Sequence, residues 1–242
     1  MTALARFMHE FVGYGSFDAE TWFLGPEEAG ARNVTDLRRR IEVWESLGSG
    51  QVVDLFDFHQ RLGVTHLFGE SARIQRTWRR LIEMQLTLCG LPARSSDIRR
   101  YQSTSLGRRG GETLLGELMP LPKHSMKSWP YASLKDEIPC LATPRTYRDA
   151  VRPKRVELLR QAVSEHQPKR VIFYGTTCRE AWEQVAGIEL EPTEHGYAIG
   201  QRGPTCFTLV LHPNARGVTA EHFHRAVTMS ARMPFSDDPL TH

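Results

Sequence analysis

The sequence is short of several things, and each shortage excludes a class of protein. No stretch of the 242 residues approaches the ~20 consecutive apolar residues that a bilayer-spanning helix needs. The opening MTALARFMHEF lacks a charged-then-apolar leader pattern and carries an early acid, so the expected location is cytoplasmic, with no membrane partner. The four cysteines, Cys89, Cys140, Cys178 and Cys206, lie far apart with no CxxC pair, which argues against a zinc ribbon and for reduced, buried thiols. Internal repeats and low-complexity tracts are missing too. Acids are scarce in one block. Between Ser71 and Gly111 stand nine arginines (73, 76, 79, 80, 94, 99, 100, 108 and 109) against Glu83 and Asp97 alone. The planar guanidinium fork suits phosphate, so the block points to a phosphate-rich partner, or else to a solvated helix face.

What remains reads as one α/β domain over residues 1–242, its tail from about Met233 frayed. Strands are expected at Thr21–Gly25 and Thr113–Met119. KRVIFYG, residues 169–175, holds the continuous apolar run of a strand buried on both faces, and TCFTLVLHP, residues 205–213, repeats the plan. Helices are expected from near Asp36 to Leu47, over Val52–Leu62, from Ser71 as cap to about Cys89, over Tyr147–His166, after a Thr176 or Thr177 cap to about Val185, and from about Thr219. Strands alternating with helices imply a parallel sheet covered on both faces.

In such a sheet the ligand site lies outside the carboxyl ends of the strands. The segments to read are therefore GPEEAG (25–30), ELMPLP (117–122), Gly175-Thr176-Thr177 and HPNARG (212–217). They bring Glu27, Glu28, Glu117 and His212 to one edge. Each has a plainer reading. Glu27 or Glu28 would charge a helix N-terminus, Glu117 would pair with an arginine such as Arg108, and His212 would be a core histidine.

These strand ends, in this order, resemble the uracil-DNA glycosylase superfamily. GPEEAG stands for the first motif, HPNARG for the H-P-S motif after the last strand, and ELMPLP for the region of the base-reading Asn. The chain departs from the pattern at three points. The proline after the catalytic position is absent, Asn214 replaces Ser, and Glu117 stands where Asn would read uracil. The resemblance implies a three-layer α/β/α fold with a central parallel four-stranded sheet. It implies a monomeric, monofunctional DNA glycosylase without metal or other cofactor, since the cysteines do not match the branches that hold an iron–sulfur cluster.

The implied roles follow the chemistry. Glu27 or Glu28 orients a water and offsets the oxocarbenium charge, and His212 stabilises the departing base at O2. Gly25, Gly30 and Glu117 surround the base. Asn214, Arg216, Gly175, Thr176, Lys123, Arg108 and Arg109 hold the DNA. The stacking aromatic is sought among Phe56, Phe58, Trp129 and Tyr131. An ionised Glu117 only accepts hydrogen bonds, which suits the N4 amino group of cytosine and not uracil O4. The expected target is thus a modified cytosine, hydroxymethylated or glucosylated, with a role in phage defence. Three other readings stand beside it. They are a uracil-excising repair enzyme, a non-catalytic nucleic-acid-binding module on the same fold, and an α/β enzyme for a small phosphorylated metabolite.

Overall fold

The computed structural model describes residues 1–124 and 128–233, so most of the tail singled out in the sequence lies outside the described residues. The chain opens with α1 (Ala3–Glu10), β1 (Gly13–Tyr14), β2 (Thr21–Glu27), α2 (Val34–Ser46), β3 (Val52–Val53) and α3 (Leu55–Leu62). It continues with α4 (Arg76–Leu88), α5 (Ser95–Thr104), β4 (Thr113–Met119), α6 (Pro144–His166), β5 (Arg170–Tyr174) and α7 (Arg179–Ala186). It closes with β6 (Glu191–Pro192), β7 (Ala198–Arg202), β8 (Thr205–Val210) and α8 (Ala220–Arg232).

The fold is α/β, with a mixed eight-stranded sheet in the order β3-β1-β4-β2-β5-β8-β7-β6 and helices on both sides. β2 pairs parallel with β4 and β5, and β5 parallel with β8. The flanks reverse direction, for β1 runs antiparallel to β4, and β7 antiparallel to both β8 and β6. The sheet is therefore wider and more mixed than four parallel strands. Sequence pattern misses the added strands because they are short and carry no continuous apolar run. β5 and β8 are buried over almost their whole length, as expected of strands covered on both faces. Burying each of Val171, Ile172 and Phe173 contributes about 1.5–3 kcal/mol.

Several boundaries move for identifiable reasons. β2 does not stop at Gly25 but runs through Pro26 to Glu27, which registers with Met119. Pro26 is tolerated because pairing with β5 ends at Leu24, so no ladder bond is asked of its missing N–H on that side. Val52–Leu62 is not one helix. Asp54 breaks it, capping α3 by accepting from the amides of Phe56 and Asp57. Ser71 caps nothing either. The side chain of Gln75 accepts from Trp78 N at 2.7 Å and starts α4 four residues later than Ser71 would. Thr176 and Thr177 lie in a 3-10 turn, and α7 starts at Arg179 without a side-chain cap. α1 was not foreseen. Thr2 caps it, and Phe7 stacks on Phe11 at 4.6 Å, against Trp44 of α2.

Candidate active site at the carboxyl edge of the sheet

The pleat decides which side chains meet. Residues in register on adjacent strands share a face. Gly25 registers with Glu117, and Tyr174 follows the last β2–β5 pair, Leu24 with Phe173. Glu117, Gly25 and Tyr174 therefore form one row across three strands. Gly25 leaves its place empty, and the Tyr174 ring fills it. A Cβ at Gly25 would lie 2.1 Å from both Cζ and the hydroxyl oxygen of Tyr174. Across that gap the Tyr174 hydroxyl reaches to 3.5 Å from Glu117 Oε1, a long contact for an O–H donor. Glu117 Oε2 has no hydrogen-bond partner among the described residues although the residue is only 9% exposed. Burial, reinforced by the charges of Glu28 and Glu27, raises the Glu117 carboxyl well above its ordinary range. A shift in that direction favours the protonated carboxyl, whereas the cytosine argument takes it as ionised. A neutral carboxyl both donates and accepts, as an Asn amide does.

The back of the same strand end is clamped by Arg155, which is fully buried on α6. Its Nη2 donates to Glu117 O at 2.8 Å and its Nε to Leu118 O at 3.2 Å. Burial without a carboxylate partner pushes this guanidinium down to about 10.

The two glutamates of the first motif have different surroundings. Arg40 Nη1 lies 3.0 Å from both Glu28 oxygens, and the Tyr14 hydroxyl donates to Oε2 at 2.9 Å. Glu28 is thus saturated, neither a cap nor a free acid. Glu27 meets only Lys123, whose Nζ lies 3.0 Å from Oε2. Its other oxygen has no hydrogen bond among the described residues. Gly30, at φ 144°, serves Arg40 rather than a base, since a Cβ there would sit 2.6 Å from Arg40 Nη2.

His212 follows β8 and lies edge-on to Tyr174, their ring centroids 5.6 Å apart. Its Nδ1 accepts from the amide of Asn214 at 3.1 Å. A nitrogen that accepts carries no proton, so the proton of the neutral ring is on Nε2. Partial burial lowers the pKa and favours that neutral form. Pro26, Gly175 and His212 gather here as well. An added Cβ on Gly175, itself at φ 96°, would touch Pro26 at 3.6 Å and His212 Cδ2 at 4.0 Å.

The other sequence candidates divide between two places. Asn214 Nδ2 donates to Thr77 Oγ1 at 2.9 Å, tying the HPNARG turn to the first turn of α4; Arg216 in the same turn is exposed, and so is Thr176 after β5. Lys123 belongs to the edge through Glu27. Arg108 and Arg109 do not, because their loop leads into the opposite end of β4. Arg108 Nε lies 3.3 Å from Asp54, and the amide of Arg109 donates to the same carboxylate at 2.8 Å. The plainer pairing of Glu117 with Arg108 is excluded by the same contacts. Within the arginine block, Arg79 and Arg80 pair with Glu83, and Arg100 with Asp97. Among the proposed stacking aromatics, Phe58 and Tyr131 are core residues. Phe56 lies under the Arg108 guanidinium, and Trp129 packs on Tyr131 and Tyr147.

The pattern search missed Tyr14, Arg40, Tyr174 and Arg155. Tyr174 alone left a signal, as a polar-tipped residue ending an otherwise apolar strand. Two open clefts lie away from this edge. One of about 190 Å³ includes Leu4, Leu37 and Ile41, and one of about 290 Å³ includes His195, Tyr197 and His224. No protein-family model matches the chain, and no curated protein matches it.

Proposed function

We propose that the protein is a DNA glycosylase that extrudes a pyrimidine nucleotide and hydrolyses its N-glycosidic bond. The observation that carries this reading is the buried Glu117 carboxyl, with one oxygen unpartnered among the described residues, in one row with Gly25 and Tyr174, whose ring lies against His212. Extrusion costs a few kcal/mol, and specific contacts to the base must offset it. Glu117 supplies a donor and an acceptor for the 3,4-edge of the ring. The Nε2–H of His212 donates to O2, where negative charge develops as the bond breaks. Glu27, with one oxygen not engaged, orients the attacking water and offsets the oxocarbenium charge. Glu28, saturated by Arg40 and Tyr14, holds the loop in shape.

The target we favour is a modified cytosine, hydroxymethylated or glucosylated, because release of unmodified cytosine would damage the host's own DNA. Phage defence is the matching role. A protonated Glu117 favours a second reading, since an O–H donor can also meet uracil O4 while the C=O accepts from N3–H. The deciding experiment is abasic-site formation from duplexes holding uracil, cytosine, hydroxymethylcytosine or its glucosylated form. Release of a modified cytosine alone supports the first target, and release of uracil alone the second. No abasic product from any of the four overturns the glycosylase reading. In active protein, Glu27→Gln should lower kcat far more than KM.

A further inference from the structure

An ammonium group beside the catalytic acid is out of place in a simple hydrolase. Lys123 Nζ sits 3.0 Å from Glu27 Oε2, with the lysine side chain 11% exposed and the glutamate 18%. Positive charge has to develop on the sugar next to Glu27, and a second cation there weakens the help the carboxylate can give. Lys123 is also too enclosed to be an ordinary surface contact to phosphate. Its position is held firmly. The Lys123 amide donates to Glu28 O at 2.9 Å, the Leu121 amide to the Tyr147 hydroxyl at 3.1 Å, and the Tyr131 hydroxyl to Pro122 O. Three contacts fix the main chain of this short turn, and with it the root of the lysine side chain.

We propose that Lys123 is an imine-forming nucleophile and that the protein cleaves the DNA strand at abasic sites. The inference rests on the glycosylase reading of this edge for the location of the sugar. Lysine acts this way on carbonyl carbon once an adjacent base has taken its proton. Glu27 accepts a proton from Nζ, and the amine attacks C1′ of the open-chain abasic sugar. The N–C bond forms, and the carbonyl π pair moves to oxygen. After protonation through Glu27 that oxygen leaves as water, and an iminium remains. Glu27 then removes a proton from C2′. The C–H pair becomes the C2′=C3′ bond, and the 3′ phosphate departs with its C–O pair. Water hydrolyses the iminium and returns the free lysine. Nothing is oxidised or reduced, and the activity is a lyase step beyond the monofunctional hydrolysis that the family resemblance implies.

The test uses the full chain and a duplex carrying a pre-formed abasic site, with sodium borohydride added to reduce any iminium to a stable amine. The expected result is a covalent protein–DNA species whose peptide map places the sugar on Lys123. Lys123→Arg keeps the cation opposite Glu27 but forms no imine, so the species should be lost while the melting temperature holds. No adduct with the wild-type chain, or an adduct mapped to another amine, overturns the proposal. Should Lys123→Arg fail to fold, the wild-type peptide map still decides. The two readings fail separately. An adduct on pre-formed abasic DNA without base release from the duplex panel removes the glycosylase and keeps the lyase, and base release without an adduct does the reverse.

Discussion

Glu28 and Glu117 occupy neighbouring strand ends, Glu28 partly buried and Glu117 buried, and their environments are opposite. Around Glu28 both oxygens are engaged, by a guanidinium and a phenol at 2.9–3.0 Å. Around Glu117 one oxygen has a distant phenol and the other has no hydrogen-bond partner among the described residues. The contrast teaches that the partners an acid finds, together with its depth, set its role. A carboxylate beside an arginine keeps its charge and becomes structural. A carboxyl without one gives up its charge and keeps unused hydrogen-bonding capacity, and a site needs that capacity.

The sharpest way to break the contrast is to take the partner from Glu28. Arg40→Met leaves a partly buried carboxylate uncompensated and should cost about 3–5 kcal/mol in urea denaturation. A loss under about 1 kcal/mol would mean that the ion pair is not what holds this turn. Next in size is Gly25→Ala. The new methyl meets the Tyr174 ring at 2.1 Å, so about 1–3 kcal/mol should be lost and Tyr174 should leave its place over Glu117. Retention of the Tyr174 position in a crystal structure of the variant would sink this account of the row.

The smallest expected effect, on the order of 1 kcal/mol, concerns Glu117→Gln, and its signature is pH. The folded pKa lies above the unfolded value of about 4.3, so between the two the folded state binds the extra proton. Stability from this group is complete below the unfolded value and is lost as pH rises toward the raised folded one. Glutamine does not titrate. The stability of Glu117→Gln relative to wild type should therefore climb with pH, and parallel curves would refute a neutral Glu117. Base release should share this dependence, falling on the alkaline side in wild type as the O–H donor is lost.

The sequence was legible where local pattern and burial coincide. The run through Val171 to Tyr174 reads as a strand because it is apolar throughout, and Thr113–Met119 is buried at every position although it carries Thr113 and Glu117. The convergence of Glu27, Glu117 and His212 followed from topology alone. The partners that decide what those residues do were not legible. Arg40 is twelve residues from Glu28 and reaches it from α2, while Tyr174 is fifty-seven from Glu117. Such pairings depend on register and helix rotation, and periodicity reports neither. The assignment of Arg108 and Arg109 to the DNA site failed for a related reason. Net charge along the chain says nothing about which end of a strand a loop occupies, and a single aspartate, Asp54, holds both.

The main chain between Pro213 and Asn214 has a consequence for proton inventory. By pointing one amide at Nδ1, the turn selects a single tautomer of His212 without any carboxylate behind the ring. An imidazole backed by an acid gains basicity and readily becomes a cation. One backed by an N–H is biased the other way and remains a neutral donor. On the proposed glycosylase reading, the histidine is then suited to stabilising a departing anion that it never fully protonates.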